Sequence, residues 1–116
     1  MIKVKWDIEE YVALIDVYDR YHSASDSEIK NALQVLSIQL HHRAEMLNIP
    51  HDEKFRNAAG MQMMYQNVVY QATHGTEGLS ATSAKLTESY KLFKSNQTLF
   101  RMILEEFNRK YPRQLI

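Results

Sequence analysis

A chain of 116 residues has the length of one ordinary domain, and 45% apolar against 24% charged residues is the balance of a folded chain. The absence of cysteine excludes disulfides, zinc–thiolate sites and cysteine nucleophiles, and three glycines with two prolines leave little punctuation for an all-β chain. Net charge is formally zero, yet residues 1–53 carry five Lys/Arg against ten Asp/Glu and residues 54–116 carry nine against four. Either the two halves attract each other, within one fold or between subunits, or the basic half faces a polyanion.

Asp7 is placed to cap a first helix, with Glu10 three residues on to complete a capping box. Tyr11, Leu14, Ile15, Tyr18 and Tyr21 then fall on one stripe. A second helix starts near Ser25 or Ser27, with Ser25 and Glu28 repeating the box; Ile29, Leu33, Leu36, Leu40, Ala44 and Leu47 step along one face until Pro50 forbids continuation. A third is expected from about Glu53 to Ala72, with Met61, Met64, Tyr65, Val68 and Ala72 inward and Gln62, Gln66 and Asn67 sideways or outward. Gly75 and Gly78 bracket a tight loop. A fourth helix covers about Thr82–Lys94, burying Leu86, Tyr90 and Phe93. After a break at Ser95-Asn96, a fifth runs from about Gln97 to Lys110 with Phe100, Ile103, Leu104 and Phe107 inward. The expectation is an all-α fold: one compact domain over residues 1–116, about five helices, orthogonal or bundle-like.

No catalytic constellation assembles along this pattern. His22, His41, His42, His51 and His74 lack the spacing of a helical metal site, since the adjacent pair His41-His42 points about 100° apart. Glu9-Glu10, Asp52-Glu53 and Glu105-Glu106 read as helix starts or solvated faces and not as convergent acid–base pairs. Ser37, Ser80 and Ser83 have no nucleophile-elbow context, and Gly75-Thr76-Glu77-Gly78 is too short and acidic to cradle phosphate. No catalytic residue, metal or cofactor is expected. Met63 falls on the face opposite Met61 and Tyr65, which makes it a contact candidate if exposed. No apolar run approaches the roughly 18 residues that span a bilayer, and residues 1–7 lack the apolar core of a secretory signal. No membrane contact and a cytoplasmic location are therefore expected.

The most unusual segment is Lys54-Phe55-Arg56-Asn57-Ala58-Ala59-Gly60. Arg presents bidentate donors to phosphate or guanine and Asn can pair with adenine, so the segment fits a nucleic-acid contact. Equally, Arg56 can bridge an acidic residue of the first half while Asn57 caps the helix. Gly60 costs about 1 kcal/mol relative to Ala inside a helix, which suggests that it admits a neighbouring helix or a ligand.

From this segment the chain resembles a helical domain of bacterial restriction and defence proteins that often precedes an HNH nuclease domain. The matching residues are Trp6 with Glu9 and Glu10, Leu36-Ser37, the phrase Phe55-Arg56-Asn57-x-x-Gly60-Met61 with Asn67 seven residues past the glycine, and Gly78-Leu79-Ser80. The likeness covers residues 6–107; Met64 stands where that family often has Lys, and no HNH signature follows. The resemblance implies a DNA-associated role and lends no nuclease activity.

Two functions follow as expectations. One is a non-catalytic DNA-binding or target-sensing module in a prokaryotic or phage defence setting, partnered with DNA and a nuclease or other defence protein. Its contact surface would comprise Lys54, Arg56, Asn57, Gln62, Gln66 and Asn67, with Lys85, Lys91 and Lys94 on phosphates. The other is a protein-interaction adaptor or inhibitor, homodimeric or bound to a partner, whose Asp16, Asp19, Asp26 and Glu28 imitate nucleic acid.

Overall fold

Asp7 starts the first helix as its position dictates. Its carboxylate accepts the Glu10 N–H at 3.1 Å and the Glu10 carboxylate accepts the Asp7 N–H at 3.1 Å, which closes the capping box and launches α1, Ile8–Tyr21. The computed structural model describes residues 2–114. After α1 come α2 (Asp26–Met46), α3 (Ala58–Ala72), α4 (Ala84–Ser95) and α5 (Gln97–Lys110), with no strand among the described residues. The protein is a single all-α domain, as its composition and periodicity imply.

Each helix begins on a side-chain cap that accepts a free N–H: Ser25 from Glu28, Asn57 from Gly60, Ser83 from Leu86 and Asn96 from Leu99. The fifth helix has the expected bounds, and the fourth begins two residues later than expected because Ser83 is the cap. The largest displacement is at α3. Residues 53–56 form turns, and Arg56 adopts φ +47°, left-handed backbone that an α-helix does not accommodate. Helix therefore starts only after Asn57.

The core is arranged around α1, which packs against all four other helices. Every residue from Glu10 to Val17 is buried, so the single stripe expected for this helix is instead burial all round. The run Tyr11-Val-Ala-Leu-Ile-Asp-Val17 is almost continuously apolar, as a fully enclosed helix requires. Leu33, Leu36, Leu40, Met61, Val68, Leu86, Phe100 and Phe107 close around it. Leu47, expected on the inner face of α2, is exposed, because that helix has ended one residue earlier. Tyr111, beyond α5, is buried instead and stacks edge-on against Phe107 with centroids 5.5 Å apart.

Two buried side-chain atoms among the described residues have no partner, the Tyr65 hydroxyl and the Asn67 Oδ1. The Tyr65 hydroxyl lies beside Tyr18, with ring centroids 5.9 Å apart, and makes no hydrogen bond among the described residues. Burial pushes its pKa up to about 12, and the neighbouring Tyr18 adds to the rise. A desolvated hydroxyl without a partner is a cost, so Tyr65→Phe is expected to leave stability unchanged or raise it by about 1 kcal/mol. Urea unfolding of the two proteins checks this; a loss larger than about 1 kcal/mol would mean that the hydroxyl is bonded in solution.

Candidate functional site

The residues that carry the Phe-Arg-Asn phrase gather at the first turn of α1. Arg56, 8% exposed, donates from Nε to Glu10 Oε2 at 2.7 Å and from Nη2 to Glu10 Oε1 at 2.8 Å. It also donates to the carbonyls of Val4 at 3.1 Å and Lys5 at 3.3 Å. The guanidinium carbon sits 4.6 Å from the centre of the Trp6 ring and 4.4 Å from that of Phe55. Ser37 donates its hydroxyl to the Arg56 carbonyl at 2.7 Å. Trp6, Glu10, Ser37, Phe55 and Arg56 are thus one internal assembly, with Asn57 next to it capping α3.

This geometry corrects two of the expected nucleic-acid contacts, Arg56 and Asn67, and leaves Asn57 exposed with its oxygen committed to the cap. Arg56 is buried and its donors are engaged inside the domain. The Asn57 Oδ1 is committed to the Gly60 N–H at 2.8 Å. Asn67, expected to face sideways or outward, is 3% exposed; its Nδ2 points at Met64 Sδ at 3.4 Å and its Oδ1 is buried without a partner. No neighbouring helix closes on Gly60: a Cβ there would meet only the capping Asn57 Oδ1 at 3.1 Å, and the residue borders the concavity walled by Trp6, Met63 and Met64.

Part of the charge asymmetry is spent within the fold. Lys110 reaches Glu9 at 3.1 Å, Arg113 reaches Asp16 at 3.5 Å, and Arg56 holds Glu10, each pairing the basic half with the acidic half. Arg43 adds Asp7 at 2.7 Å and Glu9 at 2.9 Å. Asp16 is buried, so it cannot belong to an exposed acidic surface, whereas Asp19, Asp26 and Glu28 are exposed.

The remaining candidates lie on the surface in separate places. Lys54 is exposed on the turn before α3, beside a shallow concavity walled by Trp6, Met63 and Met64; Met63 is 57% exposed there. Gln62 borders a different groove, between α2 and α3, of about 840 Å³, with Leu33, Ile38, Ala59 and Met61 in its walls. Gln66 is half-buried, and its carbonyl accepts the Leu79 N–H at 3.1 Å. Lys91 and Lys94 come together: with Gln71, His74, Thr87 and Tyr90 they surround a concavity of about 380 Å³. No carboxylate lines it. Lys85 is exposed on the same helix without bordering that concavity. The sequence marks His74 only as a weak metal candidate and does not mark Gln71, because only the packing of α3 against α4 brings them beside the two lysines.

Among the described residues no three His, Asp or Glu side chains converge as metal ligands. His41 and His51 instead flank Phe55, and each turns Nδ1 to a backbone carbonyl, Ser37 at 2.7 Å and Ile49 at 2.8 Å. No described helix is long and apolar enough to cross a membrane. No protein-family model, curated protein or solved structure gives a significant match to this sequence.

Proposed function

We propose that the chain is a non-catalytic nucleic-acid-binding module that meets the phosphate backbone of DNA along α4. The observation that carries this reading is the concavity bordered by Lys91 and Lys94, which has no carboxylate in its walls although the chain as a whole is neutral. Lysines there have no internal ion pair among the described residues, so their ammonium groups are available to phosphate oxygens. Gln71 and Thr87 add neutral polar groups at the same place, whereas Lys85, six and nine residues before the two lysines, points to another face of the helix. A defence or restriction setting, with a nuclease as the companion protein, remains the context suggested by the resemblance.

Binding of a short fluorescent duplex is expected to weaken as salt rises, with the double variant Lys91→Ala/Lys94→Ala lowering the salt slope by about 2 and the affinity about tenfold. Both lysines are exposed, so the variant retains the fold and the comparison is clean. Absence of binding at low salt, or binding indifferent to both lysines, would sink the reading.

A protein-interaction adaptor is a second reading, favoured by the apolar-walled groove between α2 and α3 and by the exposure of Met63. Sedimentation of the chain alone and with candidate partners separates the two.

A further inference from the structure

The strongest unassigned feature is a cleft of about 340 Å³ between α1, α2 and the end of α5, on ground unrelated to the α4 lysines. Its volume is near the lower end of the range of small-molecule sites, about 300–1,000 Å³. Ala13, Val17, Leu36 and Leu104 give it an apolar side, beside the polar Asn31, Gln39 and Asn108 and the exposed carboxylate of Glu28. At its wall stands Asp16, whose side chain is 10% exposed. Each arginine makes its nearest approach to the same oxygen: Arg20 Nη1 lies 3.6 Å and Arg113 Nη2 3.5 Å from Oδ2. Oδ1 accepts no hydrogen bond from the described residues.

Two features of this arrangement are unlike a finished ion pair. Charge-assisted N–H···O bonds close to about 2.7–2.9 Å, and these two contacts stay well outside that range. The arginine side chains are also 42% and 41% exposed, so the anion sits deep and the two cations stand at the mouth. Burial outweighs the nearby arginines and raises the Asp16 pKa, which agrees with a carboxylate incompletely satisfied by its neighbours. A ligand with positive charge alone would answer Asp16 and the outer Glu28 and confront the arginines; one with negative charge alone would do the reverse. A cation and an anion held on one carbon answer both, with an apolar substituent left to lie on the apolar side.

We infer that this cleft binds a small zwitterion of the α-amino acid class with an apolar side chain, its ammonium on Asp16 Oδ1, its carboxylate on Arg20 and Arg113, and its side chain against Ala13, Val17 and Leu104. Binding needs no movement of the helices, since the cleft is already open. It is also independent of the nucleic-acid reading.

The test is an amide NMR titration of the whole chain with L-leucine, N-acetyl-L-leucine and L-leucinamide, which keep both charges, the carboxylate alone and the ammonium alone. L-Leucine is expected to shift the amides of Ala13, Asp16, Val17 and Ala32 saturably, and each derivative to bind about tenfold more weakly. Asp16→Asn is expected to weaken L-leucine about tenfold without weakening N-acetyl-L-leucine. Arg113→Ala, at an exposed position, is expected to weaken L-leucine and spare L-leucinamide. No saturable shift at roughly 10 mM L-leucine, equal binding of the three probes, or shifts confined to other parts of the domain would overturn the inference. Should Asp16→Asn fail to fold, the Arg20→Ala and Arg113→Ala comparison with the two derivatives decides alone.

Discussion

Replacing Arg56 with alanine is expected to lower the free energy of unfolding by about 3–5 kcal/mol, a large share of the about 5–15 kcal/mol typical of a domain. The reason is what remains after the change. Glu10, 2% exposed, would stay in the interior and lose both guanidinium bonds. The carbonyls of Val4 and Lys5 would lose donors, and Trp6 and Phe55 would lose the cation held between them. Arg56→Lys is expected to recover only part of the loss, since an ammonium cannot make the two parallel bonds to Glu10. Urea unfolding of both variants provides the measurement; a change below about 1 kcal/mol for alanine would show that the pair is solvated and structurally unimportant. The consequence for functional work is direct. Loss of DNA binding in an Arg56 variant would report unfolding, so the α4 lysines are the informative positions.

Gly78→Ala should be nearly as damaging, at about 3 kcal/mol or more, by steric means alone. Gly78 has φ +83°, and a Cβ there would stand 2.3 Å from the Gln66 carbonyl oxygen and 2.7 Å from the Tyr70 nitrogen. Those are backbone atoms of α3 and cannot rotate away. The loop would have to lift, breaking the Leu79 N–H bond to the Gln66 carbonyl. Gly75, at the same φ of +83°, is the control: its added Cβ would meet the ring of Tyr70 at 3.1 Å, a side chain that can give way. Thermal melts should therefore rank wild type, Gly75→Ala and Gly78→Ala in that order, with the second step the larger. Equal melting temperatures for the two variants would refute the role given to the close approach.

The fold was legible where local chemistry decides it. Asp7 with Glu10, the cap residue Ser25 and the break at Asn96 each mark a boundary by a bond made within three residues, and each boundary is found where it was expected. The start of α3 was not legible, because the left-handed backbone of Arg56 is set by distant groups: Glu10 lies 46 positions away and Ser37 lies 19. Periodicity likewise under-described α1: it assigns Glu10 to the cap and Asp16 to an acidic surface, whereas both are buried against tertiary partners. Asn67 was misplaced for the same reason: an amide is usually a surface group, and only the packing of α3 reveals that this one is enclosed. At the candidate site the lysines of α4 could be named from their letters, whereas their grouping with His74 and Gln71 required the third dimension.

The first turn of α1 has a consequence for how the domain opens. Asp7, Glu9 and Glu10 receive Arg43 from α2, Arg56 from the turn before α3 and Lys110 from the end of α5. The Glu10 carboxylate also accepts the Asp7 N–H, so the group that ties down Arg56 is the one that seeds α1. Segments far apart in sequence are therefore fastened to a single helical turn. Fraying of the N-terminal segment, the turn at 53–56 and the last turn of α5 cannot proceed independently; releasing one strips a counter-charge from the others. In hydrogen-exchange terms these peripheral stretches belong to one cooperative unit with the central helix, and their amides inherit protection that their surface position alone would not confer.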